Sequence, residues 1–570
     1  MEATRPPFAL KWMPSFLDFA FLMPMVFLFG RMEGVKTLFS DCDTGWHIRT
    51  GEWITANHMV PAHDIFSYSK AGDPWFAWEW LSDVLMAWLN AHGGLRTVAL
   101  FAMILISAVF LVLFRLVRRK ANPMVAITIT MLAAAAASIH WLARPHLFTM
   151  LFLVLFCGAL ERVREGRTHI AGIPYLALLP VATILWTNLH GGFFVGVVMI
   201  GAYGTGEVLK IAFTADVNRA HWVAARRYFL SAAACLAASL ANPYTYHLHV
   251  HMAQYLRDPY NSQHIMEFLS PSFHHPTAPF FEAMLALAAA AACWSVARGR
   301  WAEPVYLLMW AHAALLAARN IPIFMIVAAP PVAATLQEWM ELLPACHVAA
   351  WLRRAAEKFT RLGAETAETE AVGRYHLVSA LGVLLVAAVI WAPHPPKKFR
   401  AEFDPNRYPA AALAALRGDP GVRIFTDDEW GDYLIWRLYP DHKVFVDGRS
   451  DFYGDDFEEK YIDVLNVKVG WEKTLSRFGV NAILMSPGAP LTGALKESSR
   501  WRVVYDDGIA VVFRPAPGEA ASGAPSASAG RASGGRTVSA AIIGGGSGRD
   551  REVTKTEASD RAITVIKTKT

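Results

Sequence analysis

The sequence predicts a polytopic α-helical membrane protein that carries a small soluble α/β domain toward its carboxy end and then a disordered tail. Three observations carry that expectation. Apolar runs near membrane-spanning length recur through the first 392 of 570 residues, in a chain that is 54% hydrophobic and 18% charged. Arg and Lys fall in short clusters between those runs, at Arg115 to Lys120, Arg162 to Arg167, Arg219 to Arg227, Arg298 to Arg300 and Arg353 to Arg374, as cytoplasmic loops require. Beyond residue 402 the pattern turns to short alternating segments of the kind that build a small sheet with helices.

Taken in order, apolar runs lie near 14 to 30, 95 to 114, 124 to 143, 146 to 160, 172 to 187, 192 to 213, 228 to 242, 280 to 297, 303 to 317, 321 to 340 and 376 to 392. They give about 11 to 13 expected spans, several of them shorter than the roughly 20 residues a bilayer asks for. The first run has the length of a signal peptide, but it lacks a small-residue cleavage site and holds Asp18 and Pro24, so it reads as an uncleaved span. The segment Trp78 to Asn90 is apolar but short and reads as an interfacial or re-entrant helix, although a crossing there stays open. With eleven crossings all five basic clusters share one face, which is then cytoplasmic.

The expected division is a transmembrane domain over 1–392 with a first external loop at 40–94, a linker at 393–402, an external α/β domain at 403–515 and a disordered tail at 516–570, rich in Gly, Ser and Ala. In the α/β part, helices are expected at Tyr408 to Arg417, Trp430 to Leu438, Trp471 to Phe478 and Leu491 to Ser498. Strands are expected at Val422 to Phe425, Lys443 to Val446, Ala482 to Met485, Trp501 to Tyr505 and Ile509 to Phe513. The five cysteines are scattered without metal-knuckle spacing or a disulfide framework. A net charge of +5 spread over loops orients the chain and gives no case for nucleic acid.

The chemistry concentrates in Ser40 to Trp80, SDCDTGWHIRTGEWITANHMVPAHDIFSYSKAGDPWFAWEW. Asp41 and Asp43 directly follow the first span, where shielding from bulk water raises a carboxyl pKa toward that of a useful general base. The competing reading is that they cap a helix starting at Thr44. Glu79 stands among Trp75, Trp78 and Trp80, which suits sugar or polyprenyl recognition or simply a membrane interface; Asp64 and His47 are further candidates in the same loop. On the same predicted face lie Arg144 and His146 in ARPH, His190 in NLHGG, and Arg319. Arg binds phosphate oxygens in pairs, so these basic groups suit a departing phosphate, while Arg144 also suits a headgroup anchor and His190 a satisfied interior histidine. No phosphate-cradling glycine loop is present, and no nucleotide site is implied. The carboxylates leave room for a divalent cation without defining a site for one.

These features together, an acidic pair after the first span, a tryptophan-rich first external loop, many spans and a soluble carboxy-terminal domain, resemble the GT-C glycosyltransferases. Within them the chain looks most similar to bacterial relatives of protein mannosyltransferases and aminoarabinose transferases. The resemblance implies a bacterial inner-membrane enzyme with its soluble domain on the periplasmic or external side. It implies a polyprenyl-phosphate sugar donor, an external glycan, lipid or protein acceptor, Asp43 or Asp41 as base, and Arg144 and Arg319 at the lipid phosphate. Such enzymes often place two acids side by side, whereas here Cys42 intervenes. The segment GDYLIWRLYPDHKVFVDGRSDFY, Gly431 to Tyr453, is similar to soluble domains of uncharacterised bacterial relatives; its Asp447, Arg449 and Asp451 read as a structural turn with internal salt bridges in preference to a glycan site. The rival functions are a transporter or flippase of lipid-linked substrates, disfavoured by the lack of a repeat between the halves, and a surface polysaccharide ligase, disfavoured by the carboxy-terminal position of the soluble mass.

Overall fold

Buried carboxylates and apolar helices set the architecture together. A computed structural model describes residues 8–214, 219–347, 349–419 and 421–517; the expected tail lies outside the described residues from 518 onward. The membrane part contains α1 (Phe16–Arg31), α2 (Asp43–Asn57), α3 (Trp80–Gly93), α4 (Leu95–Arg118), α5 (Pro123–Ala137) and α6 (His146–Arg164). A short hairpin, β1 (His169–Ile170) and β2 (Ile173–Pro174), precedes α7 (Tyr175–Leu189), α8 (Phe194–Phe213), α9 (Arg219–Ala238), α10 (His247–Tyr255) and α11 (Pro259–His264). Then come α12 (Ala278–Ala297), α13 (Ala302–Leu316), α14 (Ile321–Leu342), α15 (Ala350–Glu370) and α16 (Leu377–Ile390).

A helix stands at every apolar run of the sequence, and the chain is a multi-pass helical membrane protein. Among the described residues seven helices are long and apolar enough to cross a bilayer, and three apolar helices, Tyr175–Leu189, Ala302–Leu316 and Leu377–Ile390, are shorter. α14 is the axis of the bundle. Every residue from Phe324 to Ala329 is buried, so the helix is apolar all round, and α5, α12 and α13 pack against it. Asp18 is accommodated in α1 by a capping box: its Oδ2 accepts from Ser15 N and Oγ, each at 2.8 Å, and its Oδ1 accepts from Ser379 Oγ at 2.6 Å.

The carboxy-terminal part adds β3 (Ile424–Phe425), α17 (Asp428–Leu438), α18 (Ser450–Tyr453), α19 (Asp455–Leu465), α20 (Trp471–Arg477), β4 (Ala482–Met485), α21 (Pro490–Glu497), β5 (Trp501–Asp506) and β6 (Val511–Pro515). The sheet order is β3-β4-β6-β5, with β3 parallel to β4 and the other pairs antiparallel. Two local expectations are corrected. Tyr408 to Arg417 forms a 3₁₀ turn only at Ala412–Ala415, because Tyr408 turns inward to bond Ser40 O and Glu429. Lys443 to Val446 forms single bridges at Val444 in place of a strand.

Those bridges explain how the soluble part is held. Val444 pairs with Ile424 on one side and with Ser67 of the first loop on the other, through Tyr68 N to Val444 O at 2.9 Å and Val444 N to Phe66 O at 3.0 Å. The first loop thus continues the edge of the carboxy-terminal sheet. A buried ion cluster locks the joint. Arg449 donates to both oxygens of Asp447 at 2.7 Å and to Asp64 Oδ1 at 2.8 Å, and Tyr453 donates to Asp447 Oδ2 at 2.8 Å. Its guanidinium lies 4.4 Å from the ring centre of Trp75, which offsets the lack of a hydrogen-bond partner at one terminal nitrogen.

Removing the cation from this cluster leaves two buried carboxylates uncompensated. Arg449→Met is expected to destabilise the joint by about 3–5 kcal/mol. Limited proteolysis of the detergent-solubilised chain should then cleave the 393–402 segment faster than in the wild type; an unchanged rate and thermal midpoint would show that the cluster does not hold the joint.

Candidate active site

The candidate site forms where the first loop, the helix ends of the membrane part and α17 converge. α2 starts one residue earlier than the sequence suggests, at Asp43, and the amide of Asp43 donates to Asp41 Oδ1 at 3.2 Å. Asp41 therefore serves the helix start, and the Asp43 side chain is left for other partners.

That partner is Arg144, placed by the turn between α5 and α6. Its guanidinium contacts Asp43 Oδ2 at 2.6 Å, Asp41 Oδ2 at 2.9 Å and Glu267 Oε2 at 3.7 Å. Glu267 is shared with Arg319 NH1 at 3.2 Å. Burial would raise every acid here, and the cations decide which stay ionised. For Glu267 the guanidinium groups of Arg319 and Arg144 overcome burial and draw the carboxyl down to about 2. For Asp43, burial outweighs Arg144, and Asp41 and Glu267 add repulsion, so its carboxyl rises to about 7.

A second chain of groups runs behind it. His190 Nδ1 accepts from Gly192 N at 3.0 Å and from Thr149 Oγ1 at 2.8 Å, whose hydroxyl oxygen in turn accepts from Trp186 Nε1 at 2.9 Å. The proton of neutral His190 therefore sits on Nε2, which faces Glu79 Oε1 at 3.2 Å. His47 places Nε2 at 3.6 Å from Glu79 Oε2 and Nδ1 at 2.7 Å from Asp83 Oδ1. Burial raises Glu79 to about 8 against the opposing pull of Arg144, raises Asp83 well above the carboxylate range, and, with the nearby Arg319 and Arg144, lowers His190 to about 3. The result is a row of groups held close to neutrality, in which Asp83 pairs with His47 and Glu79 with His190, the two pairs 3.6 Å apart.

α17 adds the part that sequence reasoning missed. Gly45 of α2 lets the two helices touch, since a Cβ there would stand 2.7 Å from Trp436 Cβ. This contact brings Asp432 to Asp43. Asp432 Oδ1 accepts from Gly448 N at 3.0 Å, and its carboxyl group hydrogen-bonds that of Asp43. A Cβ on Gly448 would lie 2.6 Å from Asp432 Oδ2 and 3.0 Å from Asp43 Oδ1, so only glycine permits the pair. Burial and the charge of Asp43 push Asp432 well above the usual range, which makes it the protonated partner.

Most of these groups border one cavity of about 850 Å³, with Asp83 and Asp432 set behind its wall. Asp43, His47, Glu79, Arg144, His146, His190 and Arg319 line it; Asp41 stands behind Arg144. Asp64 does not reach it, because its oxygens are taken by Arg449 and by the Ser67 amide and hydroxyl, each of the latter at 2.8 Å. Asp451, left with the structural turn in the sequence reading, faces the cavity and contacts His251 at 3.0 Å.

Solved structures share this fold. Archaeal oligosaccharyltransferase AglB from Archaeoglobus fulgidus, in complex with an inhibitory peptide and a dolichol-phosphate, superposes with a TM-score of 0.52 at 12% identity, over 88% of this chain and 74% of that one. The apo form of the Archaeoglobus fulgidus oligosaccharyltransferase gives 0.50 at 12% identity, over 82% and 69%. The chain has a GT-C fold. No protein-family profile and no curated protein matches its sequence.

On this GT-C scaffold three site residues had a sequence signal that went unread. Asp83 and Asp432 are acids inside otherwise apolar helical stretches, and Gly448 sits between two charged residues. Glu267 had none, since its meeting with His140 and Arg144 joins segments more than a hundred residues apart. Among the described residues no three His, Cys, Asp or Glu side chains converge as metal ligands, and Arg144 holds the place at which a cation neutralises Asp41, Asp43 and Glu267. Among the described residues these side chains, with Arg144 between them, do not fit a divalent cation.

The Asp432 contact has a measurable consequence. Its hydrogen bond favours ionised Asp43, so Asp432→Ala is expected to raise the Asp43 pKa and shift the acid limb of any Asp43-dependent activity above pH 7. Asp432→Asn keeps an N–H donor and should leave the limb in place. An identical profile in wild type and Asp432→Ala would rule out the coupling.

Proposed function

We propose that this protein is a glycosyltransferase that moves a sugar or glycan from a polyprenyl-phosphate-linked donor to a glycan, lipid or protein acceptor on the external face. The observation that carries the reading is the two-sided character of the cavity. One end holds the charged groups just described; the other is walled by Met150, Phe194, Val195, Leu316 and Ile323 from the membrane helices. Leu316 is itself 57% exposed, so the apolar end opens sideways from the bundle, where a lipid chain can enter. The dolichol-phosphate and inhibitory peptide held by the archaeal oligosaccharyltransferase support a lipid phosphate and a peptide among the candidate ligands.

In this reading ionised Asp43 takes the proton of the acceptor nucleophile as it attacks the anomeric carbon, and the bond to the phosphate oxygen breaks with its electron pair. Arg144 is taken up by Asp41 and Asp43, whereas Arg319, stacked over the Phe268 ring at 4.4 Å, meets polar partners among the described residues through NH1, Glu267 and Tyr255. Arg319 is thus the better donor to the departing phosphate, and Arg144 the group that keeps Asp43 in play. Glu79 and His190, 3.2 Å apart at the wall of the same cavity, form a second pair able to exchange a proton. Trp78 and Tyr255, with ring centres 5.5 Å apart at the cavity wall, offer faces for a sugar ring.

The test is release of polyprenyl phosphate from a panel of polyprenyl-phosphate sugars by the purified chain in lipid, followed by mass spectrometry with an acceptor extract supplied. Release by the wild type and a drop of at least about 100-fold in Asp43→Asn are expected. Equal release by the variant would remove Asp43 as base. Donor moved across the bilayer unchanged, with no release, would favour the transporter reading.

A further inference from the structure

A second cavity, of about 450 Å³, opens at the other end of the same helices. α6 and α8 start beside the candidate active site and finish here; the 19 residues of α6 span roughly 28 Å at ~1.5 Å per residue. Three of the basic clusters meet at this end, through Arg164, the start of α9, and Arg300 ahead of α13.

Among the described residues the charges around it do not balance. Arg164 is engaged by Glu161 at 3.1 Å and Glu303 at 2.8 Å, the terminal nitrogens of Arg300 by Glu338 at 2.6 and 3.2 Å, and Glu207 by His221 at 2.7 Å. Lys210 and Arg227 line the cavity with no carboxylate partner among the described residues. Two more donors are buried without an acceptor, Arg300 Nε and Trp301 Nε1. Trp301 is also the N-cap of α13 and caps nothing with its side chain, so the positive end of that helix dipole adds to the same field.

We propose that this cavity binds the phosphate headgroup of an anionic membrane lipid. A phosphate oxygen accepts from the indole and guanidinium N–H groups while Lys210 and Arg227 neutralise its charge. The surroundings fit a lipid better than a free ion. Phe213 stacks on Trp301 with ring centres 4.9 Å apart and is 66% exposed, and Trp222 and Val223, next to the cavity-lining His221 in the first turn of α9, are exposed as well, which gives acyl chains an apolar surface at headgroup level. The site is separate from the transfer reaction and does not depend on that reading.

Native mass spectrometry of the full chain released from detergent, with phosphatidylglycerol or phosphatidylcholine added, tests the assignment. One retained phosphatidylglycerol per chain is expected, at least tenfold weaker in Lys210→Gln/Arg227→Gln. Trp301→Phe keeps the ring and removes only the N–H, and should weaken retention several-fold with the thermal midpoint unchanged. Equal retention of both lipids, or unchanged retention in both variants, overturns the proposal. Displacement of phosphatidylglycerol by millimolar inorganic phosphate alone would reassign the cavity to a free anion and overturn the lipid assignment.

Discussion

Arg144 is the charge on which the candidate site depends. Three carboxylates, Asp41, Asp43 and Glu267, come from two segments that meet only in the folded chain, and together they would be too repulsive to bury at the edge of a membrane. A single guanidinium satisfies them unequally. It lies closest to Asp43 and Asp41 and shares Glu267 with Arg319, which leaves Glu267 firmly ionised and Asp43 close to balance. The turn between α5 and α6 that carries Arg144 is fixed in turn by the Ala143 amide, which donates to Leu38 O at 2.8 Å, and by Thr44 Oγ1, which donates to Ala143 O at 3.0 Å.

The carboxy-terminal part is a wall of the site as well as a cover. Its sheet is continued by the first loop at Ser67, its ion cluster includes Asp64 of that loop, and α17 delivers Asp432 to Asp43 through the Gly45 contact. The long motif from Gly431 to Tyr453 thereby acquires physical reasons: Gly448 clears space for two carboxyl groups, Asp447 and Arg449 lock the joint, and Asp451 turns to the cavity. A residue in this motif can affect the chemistry without touching a substrate, because the ionisation of Asp43 depends on Asp432.

The two cavities treat charge in opposite ways. Around the first, acids slightly outnumber cations and the imbalance is absorbed by protonation of Asp432, Glu79 and Asp83. Around the second, cations are left over among the described residues, and arginine and lysine cannot shed their charge at comparable cost. An external anion is the remaining way to settle that excess.

The sequence by itself determined the helical membrane architecture, the position of the apolar runs and the segment that holds the chemistry, because hydrophobicity over a window of about 20 residues is a local property. It also brought Asp43, Glu79, Arg144, His190 and Arg319 under suspicion, since ionisable groups at the ends of apolar runs are costly unless used. It could not decide between Asp41 and Asp43, which needed the start of α2, or separate Asp64 from the cavity, which needed Arg449. Glu267, Asp432 and the His190 tautomer were decided only by tertiary structure. Each depends on the field and hydrogen bonds of groups distant in sequence, and no local pattern encodes which carboxylate will meet which guanidinium once the helices pack.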